Sequence, residues 1–361
     1  MKRVGPFLLE KRLTPSRPVV FGVSLLAILA AMGAMAIIFS AYGVSPLRAY
    51  SVIARGTLGS RFGLTEILRR TIPLLLCGVG LVLAFRSKFW NIGAEGQLLA
   101  GAVAASGVAL FSRLPEPLLL PAMFGAGFLA GAAWGMIPAL LKVKLQANDV
   151  ISTLMMNYIM IYIVEWLIHG PWKGPTMRGF AYTDTFTRAA WLPLIPRSLV
   201  HWPTLAVGVG AALLLALLLA RTRLGYELRV AGESPDAARY AGISFLKVSL
   251  VVMLLSGGLA GLAGVGEVAG IHHKLLGPLH ISSGYGYTAI IVAWLARGSP
   301  LAAIITSLLF GFIFAAGDEI KITLQMPFQV VGVFSGLILF FLIGVELLMY
   351  WRVKLLPKGE R

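Results

Sequence analysis

One cysteine, Cys77, in 361 residues excludes any disulfide within the chain and any metal site built from clustered thiolates. Charge is scarce too: Asp, Glu, Lys and Arg make up 13% of the residues, about half the share usual in soluble domains. No GxxxxGK[ST] loop is present to cradle nucleotide phosphates, and neither HExxH nor GxSxG occurs, so ATP hydrolysis by the P-loop route and two common hydrolytic chemistries are excluded. The adjacent His272 and His273 fall at the rim of a predicted loop, where solvated histidines are common. No metal is assigned to them. Zinc-finger spacing, an RNP-like motif and a basic helix with an aromatic stripe are all missing. The net charge of +16 therefore does not point to nucleic acid.

What the chain has instead is apolar sequence. Hydrophobic residues make up 58% of it and mean hydropathy is +0.85, the composition of an integral membrane protein. The expected fold is all-α and polytopic, with about ten transmembrane helices, some of them short or discontinuous. The basic segment 1–18 precedes an apolar run, 19–42, longer than the core of a cleavable signal peptide, and is read as a cytoplasmic N-terminus before a retained first span. Most Lys and Arg then fall on the cytoplasmic side of the threaded chain, as the positive-inside rule requires. Both termini, including the tail 351–361, are expected there, around one transmembrane domain, 19–350. The five arginines of the connection 43–70, which ends in a TEILRR segment read as a short interfacial helix, are the main exception.

The run 71–85 is only about 15 residues long and holds Pro73, Gly78 and Gly80, the pattern of a discontinuous helix beside a transport path. A second short run, 287–295, ends at an Arg-Gly-Ser-Pro turn. Spans two to five and seven to ten enter the membrane with opposite sense and are read, from topology alone, as an inverted repeat. Gly127, Gly131 and Gly135 form a small-residue stripe on span four, and the seventh span is dense in glycine, both suited to close helix packing. An outer loop, 170–200, is rich in Trp, Pro and Gly.

Polar residues inside such a chain stand out. The stretch RSKFWNIGAEGQLLAG, residues 86–101, sets Asn91, Glu95 and Gln97 among glycines at the start of span three, and Asn157 lies within span five. Polar groups in hydrocarbon either line a path or satisfy backbone groups at helix breaks. Both readings stand at this point. Phe89, Trp90, Tyr285 and Tyr287 are aromatic candidates for stacking on a base or sugar face. Glu267, in span seven, either accepts from a ribose hydroxyl or holds its helix to a neighbour; bracing is the favoured reading.

The longest polar segment, 221–247, contains a capped short helix: Ser234 as N-cap, Pro235 at the first position, Asp236 at the positive end and Gly242 as the stop. Ala237, Ala238 and Ala241 form its small-residue face, with Arg239 alongside. DAARYAG, 236–242, resembles the EAAxxxG element of ABC importer membrane subunits, with Asp in place of Glu. FWNIGAEGQLLAGA (89–102), NDVISTLMMNYI (148–159), GLAGLAGVGEVAGIHHKL (258–275) and GYGYTAIIVAWLARGSPLA (284–302) extend the likeness. Together they resemble the permeases of the ribose and branched-chain amino acid importer group, most of all those of nucleoside type. The resemblance covers about residues 71–350. It implies a bacterial-type cytoplasmic (inner) membrane protein that is not itself an enzyme and carries no cofactor, ATP and Mg residing on a partner ATPase of two fused modules. It also implies a second, different permease subunit, an extracytoplasmic substrate-binding protein and a coupling role for Ser234–Gly242 on the ATPase. The competing classes are a proton-coupled secondary transporter of a small polar solute, working through Glu95 and Glu267, and a membrane-embedded enzyme.

Overall fold

The computed structural model of the chain describes residues 2–4, 7–11, 17–177, 179–327 and 329–355. Residues 12–16 of the basic N-terminal segment, Phe328 before the last span and 356–361 of the tail lie outside the described residues. Two short strands, β1 (Lys2–Val4) and β2 (Phe7–Lys11), precede α1 (Arg17–Ala41) and α2 (Pro46–Ile53). Four long helices follow: α3 (Arg61–Arg86), α4 (Ala94–Phe111), α5 (Glu116–Leu145) and α6 (Asp149–His169). After the outer loop come α7 (Trp202–Arg221), α8 (Arg223–Glu233), α9 (Pro235–Tyr240) and α10 (Phe245–Glu267). The chain finishes with α11 (Pro278–Ser282), α12 (Tyr285–Leu295), α13 (Pro300–Thr323), α14 (Val330–Tyr350) and β3 (Trp351–Leu355).

Seven described helices are long and apolar enough to cross a bilayer, or eight if a bent pair counts as one span, against the ten or so expected. The short run expected at 287–295 is the 11-residue α12, about half the length a hydrocarbon core needs. The last apolar helix, α14, runs over Val330–Tyr350.

The chain forms two compact units, residues 1–60 with 316–361, and residues 61–315. In the first, α1 turns sharply into α2, with 113° between Leu25–Ala41 and Pro46–Leu58. Gly43, at φ +75°, makes the turn. Tyr50 closes it, donating its hydroxyl to Met32 O at 2.6 Å and setting its ring edge-on to Phe39 at 5.5 Å. Helix α1 packs along α14, and β1, β2 and β3 form a small antiparallel sheet.

In the second unit α10 is the centre, packed against α5, α4 and α3. Glycines bring the backbones together. A Cβ on Gly101, Gly131 or Gly257 would run into the backbone of Gly261 or Gly131 across the interface, so these helices meet at a separation that no larger residue allows. The stripe at Gly127, Gly131 and Gly135 serves this contact as expected.

One expectation is corrected here. Residues 61–86 are not a connection followed by a short broken span; they are a single helix that runs through Pro73. A proline in a helix interior costs about 3 kcal/mol. Residues from Thr71 to Ala84 are buried on every face, with α7, α10 and α12 packed around them. Tertiary packing of that extent holds the turn that local propensity would break.

Candidate polar sites and relatives

Helix α3 ends at Arg86, and Lys88 takes a left-handed conformation (φ 54°) that redirects the chain into the loop before α4. Asn91 is the hub of that loop and is fully buried. Its Oδ1 accepts from Gly93 N at 2.9 Å and from Gln97 Nε2 at 3.1 Å, while its Nδ2 donates to Gln97 Oε1 at 3.0 Å and to Ser256 Oγ of α10 at 3.1 Å. Asn157 of α6 completes the fastening: it accepts from Gly96 N and donates to Ile92 O, both at 2.8 Å. Thr153 Oγ1 takes Ile92 N–H at 3.1 Å. Glu95, 1% exposed, reaches to α12 and accepts from Gly286 N at 2.8 Å. A carboxylate at the first turn of a helix satisfies one of its orphan N–H groups.

Asn91, Glu95, Gln97 and Asn157 are thus turned toward protein. Each has hydrogen bonds to backbone or to another buried side chain, the pattern of a brace across a helix break.

The aromatic candidates are engaged as well. Phe89 is 1% exposed and packs with Ala139 and Met253 beneath the Lys142 ammonium, 4.4 Å from its ring. Trp90 stacks on Trp294 at 5.5 Å and touches Phe85 at 5.3 Å. Tyr285 is buried against Phe314 at 5.1 Å, with its hydroxyl accepting from Arg70 at 2.6 Å. Phe89 and Tyr285 are therefore packed against protein within this chain. Tyr287 alone of the four is half-buried without a ring neighbour among the described residues.

A second polar region lies around the end of α10. Glu267 is 2% exposed. Its Oε2 stands 3.9 Å from His272 Nε2, and its Oε1 has no hydrogen-bond partner among the described residues. The chain continues from Glu267 into a π-helical turn, Val268–His272. Arg69, Arg70 and Glu66, all on α3, supply the charges acting on the Glu267 carboxylate, and Arg69 is itself paired with Glu66. His201 lies against the same stretch: a Cβ on Gly266 would meet its Cε1 at 3.1 Å, and one on Gly270 its Cδ2 at 2.8 Å. Burial and the nearby Arg69 push the His201 imidazole down to about 3, so it is neutral at neutral pH. His273 is stacked on Trp191 at 3.9 Å and held down by burial. No group of three or more His, Cys, Asp or Glu able to hold a metal occurs among the described residues.

Sequence reasoning found Glu267 but missed Arg69, Arg70 and His201. The arginines were assigned to a polar connection, because Pro73 suggested that the helix began after them. The usable signal was TEILRRTIP itself, an arginine pair leading directly into an apolar run.

The segment between α7 and α10 carries the short helix expected there. Ser234 Oγ accepts from Ala237 N at 3.2 Å as the cap of α9, and Gly242 ends the turn at φ +70°. Its alanines do not form one outward face. Ala238 is 5% exposed and lines a cavity of about 280 Å³ with Ser87, Lys88, Lys142 and Arg239, whereas Ala237 and Ala241 are exposed. Successive helix residues point about 100° apart, so Ala238 turns inward while Ala237 and Ala241, joined by the Ala241 N–H to Ala237 O bond, share the outer side. Tyr240, 96% exposed, and the exposed Asp236 and Arg239 form the outer surface instead.

Comparison with known proteins places this architecture. The family described as branched-chain amino acid transport system / permease component matches residues 63–343. The chain belongs to that family. It is a multi-pass membrane protein and a permease subunit of an ATP-binding-cassette importer, of the nucleoside and simple-sugar type, and permease subunits of this kind are not themselves enzymes. Such an importer also comprises an ATPase, a substrate-binding protein and a further permease.

Among the permease's relatives, a glucose ABC transporter permease protein of Haloferax volcanii is 37% identical over 359 residues, covering 95% of this chain and 93% of its own. A guanosine ABC transporter permease protein of Bacillus subtilis is 30% identical over 342 residues, 93% of this chain and 97% of its own. A nucleoside ABC transporter permease protein of Lactococcus lactis is 30% identical over 341 residues, 92% and 91% respectively. Each of these organisms has a second, more distant permease protein, named for the same solute, that is also similar to this permease.

Proposed function

We propose that this permease carries a nucleoside or a related sugar-containing solute inward across the cytoplasmic (inner) membrane, in partnership with a second, different permease chain. The observation that carries the reading is similarity over more than nine-tenths of the chain to permeases named for guanosine, nucleosides and glucose, solutes that share a sugar ring. The paired permeases in each of three organisms support a heteromeric path. An extracytoplasmic binding protein delivers the solute, and an ATPase of two fused modules binds ATP and Mg, with no cofactor on the permease.

The α9 segment, from Ser234 to Gly242, is the contact that receives ATPase motion, through Asp236, Ala237, Arg239 and Tyr240 on its outer surface. Motion delivered there reaches the membrane helices through α8 and α10, and the glycine-lined contact of α5 with α10 has no large side chains to unlock when the helices slide. Both termini are cytoplasmic; the antiparallel pairing of β2 with β3, which joins the two ends of the chain, supports their lying on one side. Within the membrane, Asn91, Glu95, Gln97 and Asn157 brace the α3–α4 junction, and the path runs past Glu267.

Reconstitution tests this. The permease, its neighbouring ATPase, second permease and binding protein, in proteoliposomes, are expected to take up nucleoside or sugar only with ATP. Uptake by the chain alone under a proton gradient, with no ATPase bound, sinks the reading in favour of a secondary transporter. Gly242→Val places a β-branched residue at a positive φ, which costs roughly 1–2 kcal/mol locally, and should separate ATP hydrolysis from uptake. Unchanged uptake in a normally assembled complex removes α9 from the coupling route.

A further inference from the structure

Two buried acceptors near the end of α10 lack partners, and together they describe a guest. The first is Glu267 Oε1, which has no hydrogen bond among the described residues. The second is His201 Nε2, likewise without a partner. We assign the Thr204 hydroxyl as donor to His201 O, at 3.0 Å, which places the imidazole proton on Nδ1, against Thr204 Oγ1. A neutral imidazole with its proton on Nδ1 has a bare lone pair on Nε2. The imidazole ring itself lies against Gly266 and Gly270, in the same stretch of chain as Glu267: an added Cβ there would meet its Cε1 at 3.1 Å and its Cδ2 at 2.8 Å.

An unsatisfied buried acceptor is expensive, more so inside a membrane, whereas the buried carboxylate at the α3–α4 junction, Glu95, accepts from Gly286 N through Oε2. The backbone at this point is also unusual: Glu267 leads directly into the π-helical turn Val268–His272, a distortion that often marks functional sites. Charge then limits the guest. The carboxylates of Glu66 and Glu267 offset the guanidiniums of Arg69 and Arg70, so a charged solute would unbalance the cluster at a high cost in low dielectric. What fits is a neutral molecule with several O–H donors.

We propose that Glu267 and His201 form a solute station on the translocation path, where two hydroxyls of a neutral sugar ring donate to Glu267 Oε1 and His201 Nε2. This rests on the importer reading above and deepens it: the station reads the ring common to nucleosides and hexoses, leaving base recognition to other parts of the system.

The test compares a nucleoside with its 2′-deoxy and 3′-deoxy analogues in the reconstituted complex, with the binding protein saturated by each so that the permease sets the ratio. Wild type should carry the nucleoside faster than at least one analogue. Glu267→Met should lower nucleoside uptake by about tenfold, the loss expected for one hydrogen bond to a charged group, and bring the ratio to the deoxy analogue close to one. His201→Phe should do the same for the other analogue. Wild-type rate and ratio in Glu267→Met overturn the proposal, and so does a uniform fall with the ratio intact, which marks a structural role. If Glu267→Met does not assemble, Glu267→Gln keeps the shape and a hydrogen-bonding side chain: assembly with a reduced ratio upholds the station, and failure of both variants to co-purify makes Glu267 a brace and overturns it. Absence of ATP-dependent uptake of any nucleoside or sugar by wild type removes the importer reading and the station with it.

Discussion

The α3–α4 junction and the end of α10 are both polar and both buried in the same unit, yet they are built on opposite terms. At the junction each polar side chain has a protein partner: Asn91 with Gly93, Gln97 and Ser256, Asn157 with Gly96 and Ile92, Glu95 with Gly286. At the end of α10, Glu267 and His201 each leave an acceptor bare. Satisfied networks fix one geometry and stabilise it. Acceptors without partners cost stability. Polarity within a membrane therefore does not by itself identify a path; the bonding state of each atom is what separates these two regions.

The sharpest way to break the comparison is to remove the helix contact on which both regions depend. Ser256 serves the junction and Glu267 the second region, and Gly261 sits between them on α10, with its missing Cβ against Gly127 O and Gly131 Cα. Gly261→Leu forces these backbones apart and should cost more than about 4 kcal/mol, read as loss of monodisperse protein in size-exclusion chromatography. A folded, active Gly261→Leu permease would show that the close approach is dispensable.

Next is the junction itself. Asn91→Ala strands Ser256 Oγ, Gln97 and Gly93 N–H, and should cost about 2–3 kcal/mol for buried groups left unpaired. A thermal-unfolding measurement should show a large drop, and Gln97→Ala on top of it should add little, because the two amides act as one unit. Full additivity would mean that the pair is not a network.

The paired substitution Glu95→Met against Glu267→Met sharpens the contrast most directly. Loss of the Glu95 cap at the start of α12 should destabilise by about 1–2 kcal/mol. Glu267→Met removes the unpartnered Oε1 together with a carboxylate that offsets Arg69 and Arg70, and because these two effects oppose each other the net loss of stability should be smaller than for Glu95→Met. Equal losses of melting temperature in the two variants would erase the distinction.

The smallest effect is in pH dependence. The folded His201 imidazole titrates at about 3, below its ordinary 6.5, so its neutral form is the one the fold accepts. Its contribution is fully present above about 6.5 and is lost as pH falls from there toward 3. Melting temperature should therefore decline between neutral pH and pH 5, and His201→Gln should flatten that decline. A decline of unchanged slope would place the acid sensitivity elsewhere.

The sequence carried some of this plainly and hid the rest. Composition and the apolar runs revealed a polytopic helical membrane protein, because lipid leaves a spanning chain few other ways to satisfy its backbone. Capping rules located α9, since Ser234, Pro235 and Gly242 all act within little more than two turns of chain. The glycines at 127, 131 and 135 announced a close helix contact, though not that its partner would be α10. The continuity of α3 through Pro73 was hidden, because neighbours that are remote in the chain hold that turn. Arg69 and Arg70 were misplaced along with it.

What the amino-acid order determined alone was therefore local and compositional: helices, caps, small-residue stripes, and the short polar signatures by which this permease resembles its family. Tertiary structure decided which of the buried polar atoms find hydrogen-bond partners. Asn91, Glu95 and Glu267 look alike in a one-dimensional reading, each a polar residue among glycines and apolar neighbours. They part only when Ser256 and Gly286 come into view as partners and Glu267 Oε1 is found without one among the described residues, because a hydrogen bond is a matter of a few tenths of an ångström between atoms that the chain separates by more than a hundred residues.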